Sequence, residues 1–393
     1  MSYDFETLIS RKDTGSSKWN LMYKSANSEL TEDVIPFSIA DMDVKHPPEI
    51  TAALQKYVAE NILGYTHPHP AYWNAVCGWM KKRHNWEIEP EWIVAYPGIV
   101  PAVYSCVRAF TKPGDGVIVM PPVYYPFYTA ITKNGRTVVE NTLIDNGTRY
   151  EINFADLEEK AKDPNNTMLI FCSPHNPVGR VWTPEEIEKV GRICLENDVL
   201  LISDEIHFDL IMPGHKHTVF TTVAPEFADN FIVCTAPTKT FNLAGLAVSN
   251  VIIKNERLRR VFQEDKDRLG EIGVNALGLK ACQVAYTECE SWLEALISLI
   301  DTNREFCETF MKENIPQIKV YPLEGTYLQW WNCKGLNLNH KELEKLNQQK
   351  ALLFLDEGYI FGPSGSGFER INLACPTVYL EKALLRLKQA LQN

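Results

Sequence analysis

Short, wholly apolar runs recur through the middle of the chain, each followed by a polar turn and then by a stretch with helical spacing. Trp92–Ala95, Val117–Met120, Met168–Cys172, Val199–Ile202 and Phe231–Cys234 predict strands buried on both faces. Pro101–Phe110 predicts a helix with proline at its first position, so that free amides face the preceding turn Tyr96-Pro97-Gly98-Ile99-Val100. Thr183 opens another helix: Glu186 stands three residues on, as a capping box requires, and Ile187, Val190 and Cys194 keep one face apolar. Such alternation predicts an α/β fold, a mostly parallel sheet flanked by helices.

The two ends read differently. Residues 1–45 are polar and irregular, and Pro47-Pro48 then opens a helix to about Asn61. A loop, Gly64-Tyr65-Thr66-His67-Pro68, leads to an aromatic-rich helix through Tyr72, Trp73, Val76 and Trp79. Beyond about residue 285 a helix from Ser291 to about Glu313 precedes strands near Gly325–Trp331 and Ile371–Ala374. A last helix from Thr377 carries Leu380, Leu384, Leu387 and Leu391. The expected organisation is a large domain over 46–285 and a smaller α+β domain over 286–393, joined by the N-terminal segment 1–45.

Charge and composition narrow the partners. A net charge of −11 argues against nucleic acid and anionic membrane surfaces. No apolar run approaches the ~20 residues of a spanning helix, and Met1-Ser2-Tyr3-Asp4-Phe5-Glu6 has no leader pattern, so a cytoplasmic protein is expected. The ten cysteines include no C-x-x-C pair; Cys106, Cys172, Cys194 and Cys234 lie in apolar segments, where a thiol behaves as a small hydrophobe. His67-x-His69 and His215-x-His217 sit in loops with no third ligand at matching spacing, and no metal is expected.

Candidate chemistry gathers at the ends of the predicted strands, where open α/β sheets bind ligands. Those loops carry Gly98, Tyr124, Asn176, Asp204 and Lys239. Singly, each has a structural explanation: Asn176-Pro177 is a common turn, Asp204 could cap a helix, Tyr124 could be core. Together they supply what pyridoxal 5'-phosphate requires. Lys239 offers an amine for the aldehyde, and Asp204 a carboxylate to keep the pyridine nitrogen protonated. Asn176 offers a donor for the ring oxygen, and Tyr124 an aromatic face. The helix start at Gly98-Ile99-Val100 offers amides for the phosphate.

Six segments then carry a resemblance that spans the chain: Ser38-Ile39-Ala40-Asp41-Met42-Asp43, Pro122-Val123-Tyr124-Tyr125-Pro126, Ser173 to Arg180, Ser203-Asp204-Glu205-Ile206-His207, Pro237 to Gly245 and Gly367 to Pro376. The chain resembles fold-type I pyridoxal phosphate enzymes of the class I/II aminotransferase superfamily, and within them the MalY/PatB-type C–S lyases. The resemblance implies that Lys239, Asp204 and Tyr124 are catalytic, that Arg370 grips the substrate α-carboxylate, and that Tyr125 and Ala40 line the substrate pocket. It further implies an obligate homodimer with shared active sites, Tyr65 reaching the cofactor phosphate of the neighbouring subunit. His207 stands where many aminotransferases have a tyrosine that donates to the ring oxygen. Those enzymes often hold the phosphate with an arginine eight positions after the lysine; here that position is Ala247, leaving the amides, Thr238 and Tyr65. The implied reaction is α,β-elimination on L-cystathionine, L-cysteine or a related S-substituted cysteine. A class I/II aminotransferase of small or aromatic amino acids, or a lyase that also serves a regulatory partner, is the alternative.

Overall fold

The computed structural model describes residues 3–26, 30–270 and 273–392; Met1 and Ser2, read above for a leader, lie outside them. The strands are β1 (Ile93–Tyr96), β2 (Gly116–Val119), β3 (Thr137–Glu140), β4 (Ile144–Asp145), β5 (Tyr150–Glu151), β6 (Asn166–Cys172), β7 (Leu200–Asp204), β8 (Ile232–Thr235), β9 (Ser249–Ile252), β10 (Lys319–Val320), β11 (Leu328–Asn332), β12 (Asp356–Glu357) and β13 (Phe368–Asn372). Seven form one sheet in the order β1-β9-β8-β7-β6-β2-β3. β9 runs against its neighbours β1 and β8, and the remaining pairs are parallel. The strands β1, β2, β7, β8 and β9 are buried along all or nearly all their length, as helices on both faces require.

All five predicted strands form, each within two residues of its expected bounds. The helix after β1 differs at its start. It spans Ile99–Phe110, with Gly98 as N-cap at φ 106° and Pro101 in its third position rather than its first. Proline is tolerated there because the first four helical N–H groups have no partner within the helix. Glycine is required at 98 because few side chains adopt that φ. The capping box at Thr183 is complete: Glu186 N–H donates to Thr183 Oγ1 at 3.2 Å, and Thr183 N–H to Glu186 Oε2 at 2.8 Å.

A second sheet, β10-β11-β13-β12, is antiparallel throughout. Its strands depart from expectation. β11 starts at Leu328 rather than Gly325 because Thr326 takes φ 72°, which breaks the extended run. β13 begins at Phe368, since Glu369 and Arg370 are strand residues with buried side chains that conceal the apolar pattern. The N-terminal segment is not irregular throughout: Ser17–Ser25 is a helix whose Trp19 and Met22 join the core. Past it, Phe37 N–H donates to the Phe354 carbonyl at 2.8 Å and Asn372 N–H to the Phe37 carbonyl at 2.9 Å, stitching residues 36–43 onto the second sheet. Helices Pro126–Thr132, Phe154–Ala161, Glu256–Arg268 and Ala276–Glu288 complete the layers without having been foreseen. Cys106, Cys172, Cys194 and Cys234 are buried, as their apolar surroundings predicted.

Candidate active site

Chain direction brings the candidate residues together. β1, β2, β6, β7 and β8 all end on one edge of the large sheet. Gly98, Tyr124, Asn176, Asp204 and Lys239 follow those strands in turn. Lys239 lies in a one-turn helix, Pro237–Thr240, fastened from below: Thr240 Oγ1 donates to Asp209 Oδ2 at 2.8 Å, and Asp209 also receives Trp79 Nε1 and His84 Nε2. Lys239 Nζ donates to the Ala40 carbonyl, which accepts the Tyr327 hydroxyl at 2.9 Å as well. Burial pulls the Lys239 amine down to about 8, partly opposed by Asp41 and Asp204 and reinforced by Arg370. An amine so placed is a far better nucleophile near neutral pH than an exposed lysine.

Asp204 ends β7 with Oδ1 accepting from Ile206 N–H at 3.1 Å. Burial pushes its carboxyl up to about 7, against the pull of the Ile206 N–H and Lys239. An ionised carboxylate here lacks a fitting cation, which a protonated ring nitrogen would supply. His207, also buried, is driven well below the usual histidine range by burial and by the Lys239 and Arg370 charges. It is therefore a neutral ring, with Nδ1 unpartnered.

Asn176 is oriented by its neighbours. The loop from 173 to 180 closes through His175 N–H to the Arg180 carbonyl at 2.8 Å, and Arg180 is anchored at 3.0 Å to Glu324 and to Glu186. Asn176 Oδ1 then accepts from Arg370 Nη1 at 2.8 Å, which turns the amide nitrogen outward as a donor. Arg370 Nη2 donates to Asp356, the Phe361 ring lies 4.7 Å from the guanidinium carbon, and Nε is buried without a partner. Tyr124 and Tyr125 pack ring to ring at 5.4 Å. Burial raises both phenols, with Asp356 raising and Arg370 lowering each. Ile99, Val100 and Thr238 line the same edge, Thr238 buried beside Lys239.

Tyr65 stands apart. It is 93% exposed in a loop with the exposed Ile62 and Leu63, so this chain does not bring it to its own Lys239 cluster. Sequence reasoning passed over Asp356, Tyr327, Phe361 and Asp209, each met only through pairing distant in the chain. Of the motif Ala40-Asp41-Met42-Asp43, only Ala40 carried an expected role, in the substrate pocket. Asn242, three residues after Lys239, bonds the backbone of Met42 and Val44, so the motif interlocks with the lysine loop.

A model of the family "Aminotransferase class I and II" matches residues 32–387. The chain belongs to this family. Among its relatives, the cystathionine beta-lyase PatB of Bacillus subtilis (strain 168) is 41% identical over 388 residues, 99% of this chain and 100% of that protein. Cystalysin from Treponema denticola, whose crystal structure contains pyridoxal 5'-phosphate, superposes with a TM-score of 0.98 at 50% identity, covering 100% of this chain and 99% of that one. The pyridoxal phosphate-bound C–S lyase from Staphylococcus hominis superposes with a TM-score of 0.90 at 32% identity, covering 99% of each chain. As a member of the aminotransferase class I and II family with these neighbours, the chain has the fold-type I architecture that the resemblance implied, built on the mostly parallel sheet its strand pattern predicted.

Proposed function

We infer that this chain is a pyridoxal phosphate-dependent carbon–sulfur lyase that cleaves L-cystathionine, L-cysteine or a related S-substituted cysteine to pyruvate, ammonia and a thiol. The observation that carries the cofactor is the convergence of Lys239, Asp204 and Asn176 at one sheet edge, in a chain that superposes on cystalysin along its whole length. The residues present fit the group: a depressed buried amine, a buried carboxylate short of a cation, an amide turned outward and an uncapped helix start after Gly98. The reaction type is supported by likeness to PatB over the whole of both chains.

When bound, the cofactor supplies an aldehyde that captures amines and a protonated ring that draws electrons from the substrate's Cα. Lys239 Nζ would hold the cofactor's aldehyde and, as a free amine, would take the proton from the substrate's Cα as general base; burial already favours its neutral form. Asp204 would keep the ring nitrogen protonated and Asn176 would donate to the ring oxygen, with neutral His207 in the same cluster. Tyr124 would offer its aromatic face to the ring. The Ile99 and Val100 amides and Thr238 would hold the phosphate; no arginine stands at Ala247. Arg370 receives the α-carboxylate through its unused N–H groups, beside Ala40 and Tyr125. Tyr65, exposed here, is offered to the cofactor phosphate of a second copy, making the assembly a homodimer with shared sites. No helix among the described residues is long and apolar enough to cross a membrane, and a cytoplasmic enzyme is the reading we favour.

The test is turnover of L-cystathionine by purified, cofactor-loaded protein without any keto acid. Pyruvate, ammonia and thiol should appear together over many turnovers. Turnover that requires a keto-acid acceptor and releases no thiol would assign the chain to the aminotransferases instead.

A further inference from the structure

Asp356 stands directly opposite Arg370 where β12 pairs with β13, so backbone register puts both side chains on one face. Its Oδ2 accepts twice, from Arg370 Nη2 and, at 2.8 Å, from the backbone N–H of Ile39. The second donor belongs to a strained turn. Ile39 has φ 50°, a left-handed conformation that a β-branched residue keeps only where its surroundings hold it. Asn372 Nδ2 braces the same turn by donating to the carbonyls of Ile39 and Asp41 at 2.9 and 2.7 Å. The next residue, Ala40, presents its carbonyl to Lys239 and Tyr327. Asp356 therefore touches both the guanidinium and the turn that faces the lysine.

We propose that Asp356 is a positioning residue for the substrate α-carboxylate: by holding Arg370 and the Ile39 N–H together, it fixes the gap between guanidinium and Ala40 turn in which that carboxylate is received. The proposal rests on the amino-acid site described above and adds the residue that sets its geometry. With Nη1 on Asn176, Nη2 on Asp356 and Phe361 against its face, Arg370 offers its remaining N–H groups in one orientation. A rigid fork loses less freedom when it binds a carboxylate than a loose one does. Asp356 also repels an incoming anion. Its presence makes sense only where the orientation of Arg370 outweighs that repulsion, so the two effects give opposite outcomes on substitution.

The experiment titrates the holoenzyme with L-alanine and with ethylamine, its carboxylate-free counterpart, following the cofactor absorbance of wild type, Asp356→Ala and Asp356→Asn. Loss of a hydrogen bond to a charged group predicts roughly tenfold or greater weakening of L-alanine binding in Asp356→Ala. Ethylamine should change by less than about twofold, because it makes no call on the α-carboxylate grip. Asp356→Asn, which keeps an acceptor for Ile39, should fall between, and KM for L-cystathionine should rise more than kcat falls. Unchanged or tighter L-alanine binding in the variants would overturn the proposal, as would equal weakening of both ligands, the mark of a merely structural role. If Asp356→Ala fails to fold, the asparagine variant decides by the same comparison. A wild-type holoenzyme that answers neither L-alanine nor L-cystathionine would instead overturn the amino-acid reading and this proposal with it.

Discussion

Replacing Asp204 by asparagine in cofactor-free protein should stabilise the fold, and adding the cofactor should reverse the order. The Asp204 carboxyl is raised from 3.8 to about 7, chiefly by burial. Between those values the folded chain keeps a proton that the unfolded chain has released, so stability falls as pH rises through this window. Above about 7 the folded carboxyl is ionised and the whole cost is present. At ~1.4 kcal/mol per tenfold change in proton affinity, that cost is roughly 4 kcal/mol. Asparagine keeps an oxygen for the Ile206 N–H and carries no charge. With an unfolding entropy of ~2.1 cal/mol/K per residue, a 393-residue chain gains about 5 °C in Tm. Thermal melts at pH 5 and pH 8, with and without pyridoxal 5'-phosphate, check this. The variant should lead by a small margin at pH 5 and a large one at pH 8 without cofactor. With cofactor, wild type should gain more, because its carboxylate then faces a cation. A cofactor-free variant that melts at or below wild type at pH 8 would refute the account of Asp204 as a charge awaiting its partner.

Lys239 titrates with the opposite consequence. Depressed from 10.5 to about 8, its buried ammonium burdens the cofactor-free fold below about 8. That burden lifts as pH rises toward 10.5, because the unfolded chain then binds the proton the folded one lacks. Lys239→Met should therefore out-melt wild type at pH 7 and lose most of that lead by pH 10. With cofactor, Lys239→Ala should yield no borohydride-trapped adduct and no turnover; trapping at another lysine would contradict the assignment. Arg370→Lys keeps the charge but loses the planar fork, and should raise KM for L-cystathionine by roughly 10- to 100-fold with a smaller effect on kcat, read from steady-state kinetics. Thr183→Ala removes a helix cap and should cost about 1 kcal/mol in denaturant unfolding.

The parts of the fold legible in the sequence were those governed by local pattern. Strands buried on both faces need unbroken apolar runs, so β2, β6, β7 and β8 stood out, and the residues at their ends could be read as one site. What escaped was decided by distant partners. Helix Ser17–Ser25 has a poor apolar stripe and is held by Trp19, whose Nε1 donates to Asp43 at 3.0 Å, and by Lys18 on the same carboxylate. β13 looked too polar for a core strand because Glu369 and Arg370 are buried in it, Arg370 bonded to a residue as far as 194 positions away. Asp356 occupies a two-residue strand that no periodicity marks. Tyr65 was legible only through resemblance, since it is 93% exposed and away from the Lys239 cluster.

These differences divide the site along the chain. The cofactor side is built from strand ends of the large sheet, all but β1 fixed by parallel pairing with a neighbour. The amino-acid side is built from the two ends of the chain: residues 37–43 laid across β13, with Asp356 and Arg370 beside them. The two halves meet in the site at Asn176 to Arg370, at Lys239 to the Ala40 carbonyl and at Asn242 to the backbone of Met42 and Val44. A change at the strand ends should therefore disturb cofactor retention and substrate affinity together. A change in the second sheet or the 37–43 segment should leave the cofactor in place and alter which carboxylate-bearing amine is received. The strained φ of Ile39 lies on the amino-acid side of that divide, where a strained residue would be expected if recognition rather than cofactor binding required it.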